Sequence, residues 1–356
     1  MPDELPKGFR AAGVYSGVKR NHDKLDLSLI VSDRPATGVG VFTQNVVHGA
    51  PVRYNRGRLP SDSIRAVVIN SGIANACTGE QGYRDAVKMA ERTAEACSCA
   101  AEEVLVMSTG LIGEMLPMDK ISAGIAAAHA ALGDTPDHLV AAARGMLTTD
   151  TCHKIRTREI EVGGTSVRLA GLAKGAAMIG PNLATMLAVI MTDAHLDCPT
   201  AKSCLKDAAD ESFNCISVDG HMSTSDTVLL LAGGGSGGAT LTGSDLARFQ
   251  ATLVELCEDL AQSIPSDGEG ATHLITVEVH GAADREGAVK IARSIADSPL
   301  VKTAVAGADP NWGRIVSAAG YAGVAFDPDR VSLHINDSLL YERGAPADFD
   351  AAKVSA

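Results

Sequence analysis

The feature that most constrains the fold is the alternation of short apolar runs with amphipathic helical segments. The run at 63–72, SIRAVVINSG, predicts a buried strand, residues 82–100 predict a helix, and 103–110, EEVLVMSTG, predict another strand. Strands and helices in succession are typical of proteins in which helices cover a sheet. We therefore predict a layered α/β or α+β fold.

The same alternation continues through the second half of the chain. Residues 158–175 hold two alternating runs joined by Gly163-Gly164, which predicts a hairpin. A helix is predicted at 244–264 with Ser244 as its N-cap. The remaining predictions are strands near 185–192, 214–218, 226–232, 272–281 and 330–336, helices near 199–212 and 285–297, and a turn at 307–314 that opens another helix.

Length and charge bound the class of protein. With 356 residues, 46% of them hydrophobic, the chain is long enough for a large core and for two lobes. No apolar run approaches the ~18 residues that cross a bilayer, and the first residues lack a secretion signal, so we expect a cytoplasmic protein without a membrane partner. The net charge of −12 argues against nucleic acid as a partner.

Cysteine and histidine usage gives no support for a metal site. Eight cysteines are scattered, and the close pair Cys97 and Cys99 fits neither redox nor zinc spacing, so we expect reduced, mostly buried thiols. Ten histidines are dispersed without paired spacing. The turn at 233–238, GGGSGG, lacks the residues of a phosphate loop.

Four polar clusters follow predicted strands or precede them. Thr109 and Gly110 end an apolar strand, where glycine permits the close backbone approach of an oxyanion site, although an ordinary turn has the same pattern. Thr151 lies in TTDTCHK, which suits a helix cap or a polar substrate equally. Lys174 opens a loop that leads to residue 185. Glu269 lies between two glycines before a predicted strand, where its carboxylate could have a structural or a functional role.

A threonine at the start of a strand is the candidate nucleophile. An internal threonine hydroxyl is weak unless a base activates it, and the nearest base is the residue's own amine, which exists only after the preceding peptide bond is cut. The small Ala184 leaves room for Thr185 Oγ to attack its carbonyl. The alternative is a turn residue at the mouth of a strand.

The stretch at 174–188, KGAAMIGPNLATMLA, resembles the cleavage motif of the ornithine acetyltransferase family, the bifunctional glutamate N-acetyltransferases. Further segments are similar to this family in the same order, and the resemblance covers residues 8 to about 340. These segments are GFRAAGVYSGVKR, DLSLIVSDRPATGVGVFTQN, NSGIANACTG, STGLIG, TTDT, VDGHMSTSDT, SDGEGAT and SPLVKTAVAGADPNWGR.

The resemblance implies a role for each matching residue. Cleavage between Ala184 and Thr185 would make Thr185 the nucleophile at the start of a new chain, and Thr109 and Gly110 match the oxyanion hole. The residues that match substrate-binding positions are Thr151, Lys174, Thr185 and Glu269. The resemblance also implies an αββα-type sandwich of two lobes that meet at Thr185. Cleavage would give an α chain, residues 1–184, and a β chain, residues 185–356. Two copies of each chain would assemble as (αβ)₂.

The implied reaction moves an acetyl group from N2-acetylornithine to glutamate in arginine biosynthesis, through an acetyl-threonine ester. No metal or cofactor is expected, and acetyl-CoA enters only as a candidate second acetyl donor. Two alternatives stay open. One is a related aminopeptidase or amidohydrolase in which water is the acceptor, and the other is a silent binding protein, because family members usually continue past 350 to a polar C-terminus that contacts substrate.

Overall fold

The computed structural model of the protein describes residues 4–180 and 186–355, so the predicted cleavage site at Ala184 and Thr185 lies outside the described residues. The strands are β1 Phe9–Val14, β2 Leu27–Phe42, β3 Ser61–Ile73, β4 Val104–Leu111, β5 Lys154–Val162, β6 Thr165–Lys174, β7 Leu187–Thr192, β8 Thr227–Ala232, β9 Ser332–Ile335, β10 Ser338–Glu342 and β11 Ala345–Pro346. The helices are α1 Ala50–Arg56, α2 Gly79–Cys97, α3 Met118–Ala130, α4 Pro136–Met146, α5 Cys198–Glu211, α6 Gly243–Ser266, α7 Arg285–Ala296, α8 Pro299–Ala306, α9 Trp312–Gly320 and α10 Ala351–Ser355.

The long strand β2 joins two halves of the main sheet. The strand order is β4-β3-β2-β8-β7-β6-β5, and β1 also pairs with β2. Residues 27–31 of β2 pair in continuous register with β1 and β3, whereas 37–42 pair with β8, and the β2–β3 register shifts between Val31 and Ala36. The pairs β3–β4 and β7–β8 are parallel, and the other pairs are antiparallel. The sheet is therefore mixed.

Alternate residues of each strand enter different apolar clusters, which defines the layers. Val68 of β3 packs in one cluster with Met89 of α2 and Ile121 of α3, whereas the next residue, Ile69, faces the opposite way. Ile69 shares its cluster with Val189 of β7, so the two halves of the sheet pack against each other. Period-two alternation of this kind is expected of strands covered on both faces.

The second half of the sheet has its own helical cover. Leu205 of α5 and Phe249 of α6 pack with Ile190 and Leu230 on the face turned away from the first half. The order is thus helices α2 and α3, the β1–β4 half, the β5–β8 half, and helices α5 and α6. This confirms the predicted αββα layering.

The hairpin predicted at 158–175 is present. Strands β5 and β6 pair from Val162↔Thr165 outward, and the connecting Gly163 and Gly164 have φ of 57° and 73°. Two consecutive positive φ angles are those of a type I′ turn, in which glycine is unstrained. The local turn signal was sufficient to predict this element.

Three local predictions are wrong. Residues 213–215 form a 3₁₀ turn where a strand was predicted at 214–218, and 272–281 form no strand although their exposure alternates. Alternation alone gives two faces, but a strand also needs a neighbouring strand to bond. The N-cap of α6 is Thr242 rather than Ser244, since the helix begins at Gly243.

The Ala-rich helices α3 and α4 and the long strand β2 were not predicted. In α3, small residues lie on buried and exposed positions alike, so the pattern shows little contrast between faces. The expectation of mostly buried thiols is also wrong. None of the eight cysteines forms a disulfide, but only Cys204 and Cys257 are buried, whereas Cys77, Cys152 and Cys215 are exposed and the remaining three are intermediate.

The chain divides into two compact units, the first ending at Glu269 and the second beginning at Gly270. The first unit contains the eight-stranded sheet. The second contains α7–α10 and the small sheet β9–β11, with a core that includes Ile295 and Val301 and with Trp312 stacked on Tyr341. The predicted boundary at 184/185 concerns backbone cleavage and stays a prediction. Among the residues described, no helix is both long and apolar enough to cross a membrane.

Candidate active site

Thr109 and Gly110 lie at the end of β4, where the parallel strand β3 also ends. Gly110 has a φ of 130° and lies opposite Gly72, and a Cβ atom at Gly110 would collide with the backbone carbonyl of Gly72. Only glycine fits this position, because both the backbone angle and the space exclude a side chain. At this turn Gly110 is exposed, whereas the Thr109 side chain is buried.

Two buried polar side chains hold this turn in place. The Ser108 hydroxyl donates to Asn70 Oδ1 at 2.6 Å, and the Asn70 amide nitrogen donates to the carbonyl oxygen of Ile73 at 2.9 Å. Ser108 and Asn70 are directly paired across the parallel strands. The turn that carries Thr109 and Gly110 is therefore fixed by satisfied buried hydrogen bonds.

Lys174 brings the end of β6 to this turn. Its Nζ atom donates to Thr109 Oγ1 at 3.3 Å, and both side chains are buried. Burial lowers the pKa of Lys174, while the negative charge of Asp150 opposes this shift. The structure thus places two of the predicted site residues, which are 65 residues apart in sequence, in direct contact.

Asp150 is the buried carboxylate that faces this lysine. Its Oδ1 atom accepts from Lys154 Nζ at 2.8 Å and from the Gly175 amide at 2.6 Å, and Oδ2 accepts from the Thr148 amide at 3.0 Å. Burial alone would raise the pKa of Asp150, but Lys174, Lys154 and these hydrogen bonds outweigh it and hold the pKa at about 2. Asp150 is therefore ionised, and it ties 148–154 to the residue after Lys174.

Thr151 is engaged by a second carboxylate, Asp267. The Thr151 amide donates to Asp267 Oδ2 at 3.1 Å, and the Thr151 hydroxyl also donates to Asp267. Lys154 Nζ bridges Asp150 and Asp267, at 2.6 Å from the latter. Thr151 also lines a cavity of about 390 Å³ whose other lining residues are Cys152, Arg156, Asp259, Gln262, Ser263, Ser266 and Asp267. None of the other predicted site residues that the structure describes lines this cavity.

Glu269 reaches the same cluster through its backbone. Its amide donates to the carbonyl oxygen of Ala176 at 2.8 Å, two residues beyond Lys174, and its side chain is exposed. Because Asp267 is two residues earlier, the Lys154–Asp267 ion pair and this hydrogen bond fix the end of α6 beside the loop that follows β6. The carboxylate of Glu269 is close enough to favour the charged form of Lys174.

Two aspartates hold the backbone on either side of residues 181–185. The carboxylate of Asp219 accepts from the amides of Met178 at 2.6 Å and Ile179 at 3.0 Å. On the other side, Asp226 Oδ1 accepts from the Met186 amide at 3.2 Å. Asp226 is fully buried, and burial raises its pKa well above the usual range. The predicted nucleophile Thr185 and its neighbour Ala184 lie between these anchors in sequence, outside the described residues.

Lys154, Asp226 and Asp267 were not predicted, and Asp150 was predicted only as part of a motif that could cap a helix or bind a polar substrate. Asp150 and Asp267 are inside the quoted motifs TTDT and SDGEGAT, and Asp226 is inside VDGHMSTSDT, but their hydrogen bonds join segments far apart in the chain. Within the described ranges, no group of three His, Cys, Asp or Glu is arranged to hold a metal ion.

Fold and site together define a layered αββα protein with a polar cluster at neighbouring strand ends, and comparison with known proteins gives the family. The ArgJ family model matches residues 10–356. The arginine biosynthesis bifunctional protein ArgJ of Rhodopirellula baltica is 46% identical over 354 residues, covering 99% of this chain and 86% of that protein. The protein of the same name from Symbiobacterium thermophilum is 47% identical, covering 98% and 87%.

The chain belongs to the ArgJ family. This confirms the resemblance on which the prediction of an acetyltransferase rests. Among solved structures, the ornithine acetyltransferase from Mycobacterium tuberculosis complexed with ornithine is 36% identical with a TM-score of 0.46, covering 51% of this chain and 97% of that one.

Proposed function

We propose that the chain transfers the acetyl group of N2-acetylornithine to glutamate through an acetyl ester on Thr185, after cutting its own backbone between Ala184 and Thr185. Family membership supports the reaction, since the relatives are named arginine biosynthesis bifunctional proteins. The observation that carries the proposal is the buried contact between Lys174 and Thr109 beside the constrained Gly110.

This contact determines which way the Thr109 hydroxyl makes its hydrogen bonds. Lys174 donates a hydrogen bond to Thr109 Oγ1, which occupies a lone pair of that oxygen and leaves the hydroxyl proton of Thr109 free to donate. A donor polarised by a neighbouring ammonium group in a buried site stabilises a developing oxyanion more strongly than one in water. Thr109 and the exposed backbone at Gly110 would together form the oxyanion hole.

The remaining steps follow from the chemistry of an N-terminal threonine. The freed amine of Thr185 takes the Oγ proton while Oγ attacks the acetyl carbonyl, and the proton then passes to ornithine as it leaves. The amine of glutamate then attacks the ester and becomes the amide of acetylglutamate, and the proton that this amine loses goes to Thr185 Oγ as the ester bond breaks. In this proposal the exposed carboxylate of Glu269 binds the cationic amine of the substrate, Lys174 attracts a substrate carboxylate, and the Thr151 hydroxyl oxygen accepts a hydrogen bond at the rim.

The experiment that tests the proposal begins with the intact mass of the denatured protein beside a Thr185→Ala variant. We expect two chains, residues 1–184 and 185–356, from the wild type and one chain from the variant. A wild-type chain that stays whole contradicts the proposal and favours the binding-protein alternative. Light scattering of the native protein should give the mass of two copies of the 36.7 kDa chain, as (αβ)₂ requires.

Exchange is then assayed with acetyl-labelled acetylornithine, with and without glutamate. Label appearing in acetylglutamate supports the transferase, whereas equal release of free acetate without glutamate favours the aminopeptidase or amidohydrolase alternative. Acetyl-CoA is tested as a second donor in the same assay, because the relatives are named bifunctional.

A further inference from the structure

The most unusual buried group outside the predicted site is Asp226, at the start of β8. Strands β7 and β8 are parallel with Leu187 opposite Thr227, so Asp226 and Met186 lie side by side just before the two strands begin. The Thr227 amide donates to the Met186 carbonyl oxygen at 3.1 Å, and the Thr43 amide donates to the Asp226 carbonyl oxygen at 2.9 Å. The backbone around Asp226 is therefore fixed from both sides.

The carboxyl group of Asp226 is only half satisfied. Its Oδ1 atom accepts from the Met186 amide at 3.2 Å, whereas Oδ2 has no hydrogen-bond partner among the described residues. The nearby hydroxyl of Thr43 donates to the Ser223 carbonyl oxygen at 2.8 Å, and the Ser223 hydroxyl oxygen accepts from the Ser225 amide at 3.0 Å. Burial raises the pKa of the Asp226 carboxyl and favours the protonated form, since it outweighs the Met186 amide and the Thr43 and Ser223 side chains, which favour the ionised form.

Lys174 and Lys154 have carboxylates other than Asp226 near them. Lys174 is the charged group that acts on Asp226, but Asp150 is the acid that acts most strongly on Lys174. Lys154 is paired with Asp150 and Asp267. A negative charge on Asp226 would therefore compete with Asp150 for Lys174, whereas a neutral Asp226 leaves the Lys174–Thr109 contact undisturbed.

We propose that Asp226, carrying a proton, is a positioning residue for the nucleophile: its Oδ1 atom fixes the amide of Met186, the residue bonded to Thr185, while its neutrality leaves Lys174 under the influence of Asp150. The inference rests on the proposed function of Thr185. It assigns Asp226 no covalent step, and its effect on the reaction passes through the backbone unit between Thr185 and Met186.

Asp226→Asn and Asp226→Ala test whether Asp226 acts as a neutral hydrogen-bond acceptor. Asparagine is neutral and retains an oxygen that accepts from the Met186 amide, whereas alanine removes the acceptor. We expect the Asn variant to cut its backbone within twofold of the wild-type rate, with the same pH dependence of kcat between pH 6 and 9. The Ala variant should cut at least tenfold more slowly and, once cut, should lose kcat with little change in KM.

Asp193 provides the matched control at the opposite end of β7. It is as buried as Asp226, and its carboxylate accepts from the amides of Arg168 at 2.8 Å and Lys7 at 3.1 Å. Asp193→Asn and Asp193→Ala should change the thermal midpoint without changing the cleavage rate of the folded chain. A similar slowing at both positions would mean that Asp226 acts only through stability.

Each outcome bears on a different claim. A wild-type chain that never cuts contradicts the proposed function, and with it this inference. A wild type that cuts while Asp226→Ala cuts at the same rate overturns the inference alone. If the Ala variant fails to fold, the Asn variant decides: loss of cleavage, or a shifted pH profile of kcat, would show that an ionised carboxylate is required.

Discussion

Lys174 Nζ lies 3.3 Å from Thr109 Oγ1 and joins the end of β6 to the end of β4 inside the protein. Those strands belong to the two halves of the sheet that face each other across a shared apolar cluster. The sandwich therefore brings a cation and a hydroxyl together at one end, where neither half alone would have both. This arrangement makes the lysine a contributor to the polarity of Thr109 as well as a candidate substrate ligand.

The first prediction concerns that lysine. Lys174→Met keeps an unbranched side chain but removes the group that polarises the Thr109 hydroxyl, so we expect kcat for acetyl exchange to fall by up to about 10²-fold, the smallest loss typical when an oxyanion-hole donor itself is removed. Steady-state kinetics on the matured enzyme measures the effect. Lys202→Met, on an exposed position of α5, is the control and should leave kcat unchanged. A rise in KM alone would instead show that Lys174 acts only in binding substrate.

The second prediction compares two glycines of one turn. Gly110→Ala meets a positive φ and the backbone of Gly72, so we expect a loss of about 2–4 kcal/mol in the free energy of unfolding together with loss of exchange. Gly113→Ala also has a positive φ, 86°, but its Cβ would meet nothing within 4 Å. This control should lose only about 1 kcal/mol. Urea unfolding gives both values, and equal losses would contradict the close approach to Gly72.

Much of the fold was predictable because its signals are local. The β5–β6 hairpin follows from two adjacent glycines, and β3, β4 and β7 follow from short apolar runs. The run at 272–281 has a similar alternation without forming a strand, because a strand also depends on a partner that no local pattern specifies. The same limit explains why the Ala-rich helices were missed.

The candidate site was predictable only in part. Thr109 and Gly110 were suggested by a strand end, and the family resemblance gave Lys174 a substrate-binding role, but the contact between Thr109 and Lys174 was not predicted. Asp267 was missed because its partners Thr151 and Lys154 are more than a hundred residues away in sequence. Ion pairs of this kind are set by packing, since the aspartate follows a helix and the lysine opens a strand.

The third prediction tests this ion-pair network. Asp150→Ala leaves the buried Lys154 with one carboxylate instead of two and removes the acceptor of the Gly175 amide. Breaking one partner of a buried ion pair costs about 3–5 kcal/mol, so urea unfolding of the variant should show a loss of that order. Asp259→Ala is the control, because Asp259 pairs with Arg158 at a half-exposed position. It should lose less than about 1 kcal/mol.

The last prediction concerns acid stability. The folded protein holds the pKa of Asp150 at about 2, below the ordinary value of 3.8, so the unfolded chain binds more protons between these values. The stabilisation from Asp150 is therefore complete above about pH 4 and is lost as the pH falls towards 2, amounting to about 2 kcal/mol. Unfolding free energies measured in steps from pH 5 to pH 2 give the slope. Asp150→Asn cannot titrate and should unfold with a shallower pH dependence over this window. Wild-type and variant slopes that coincide would show that Asp150 is not held in its ionised form by Lys154 and Lys174.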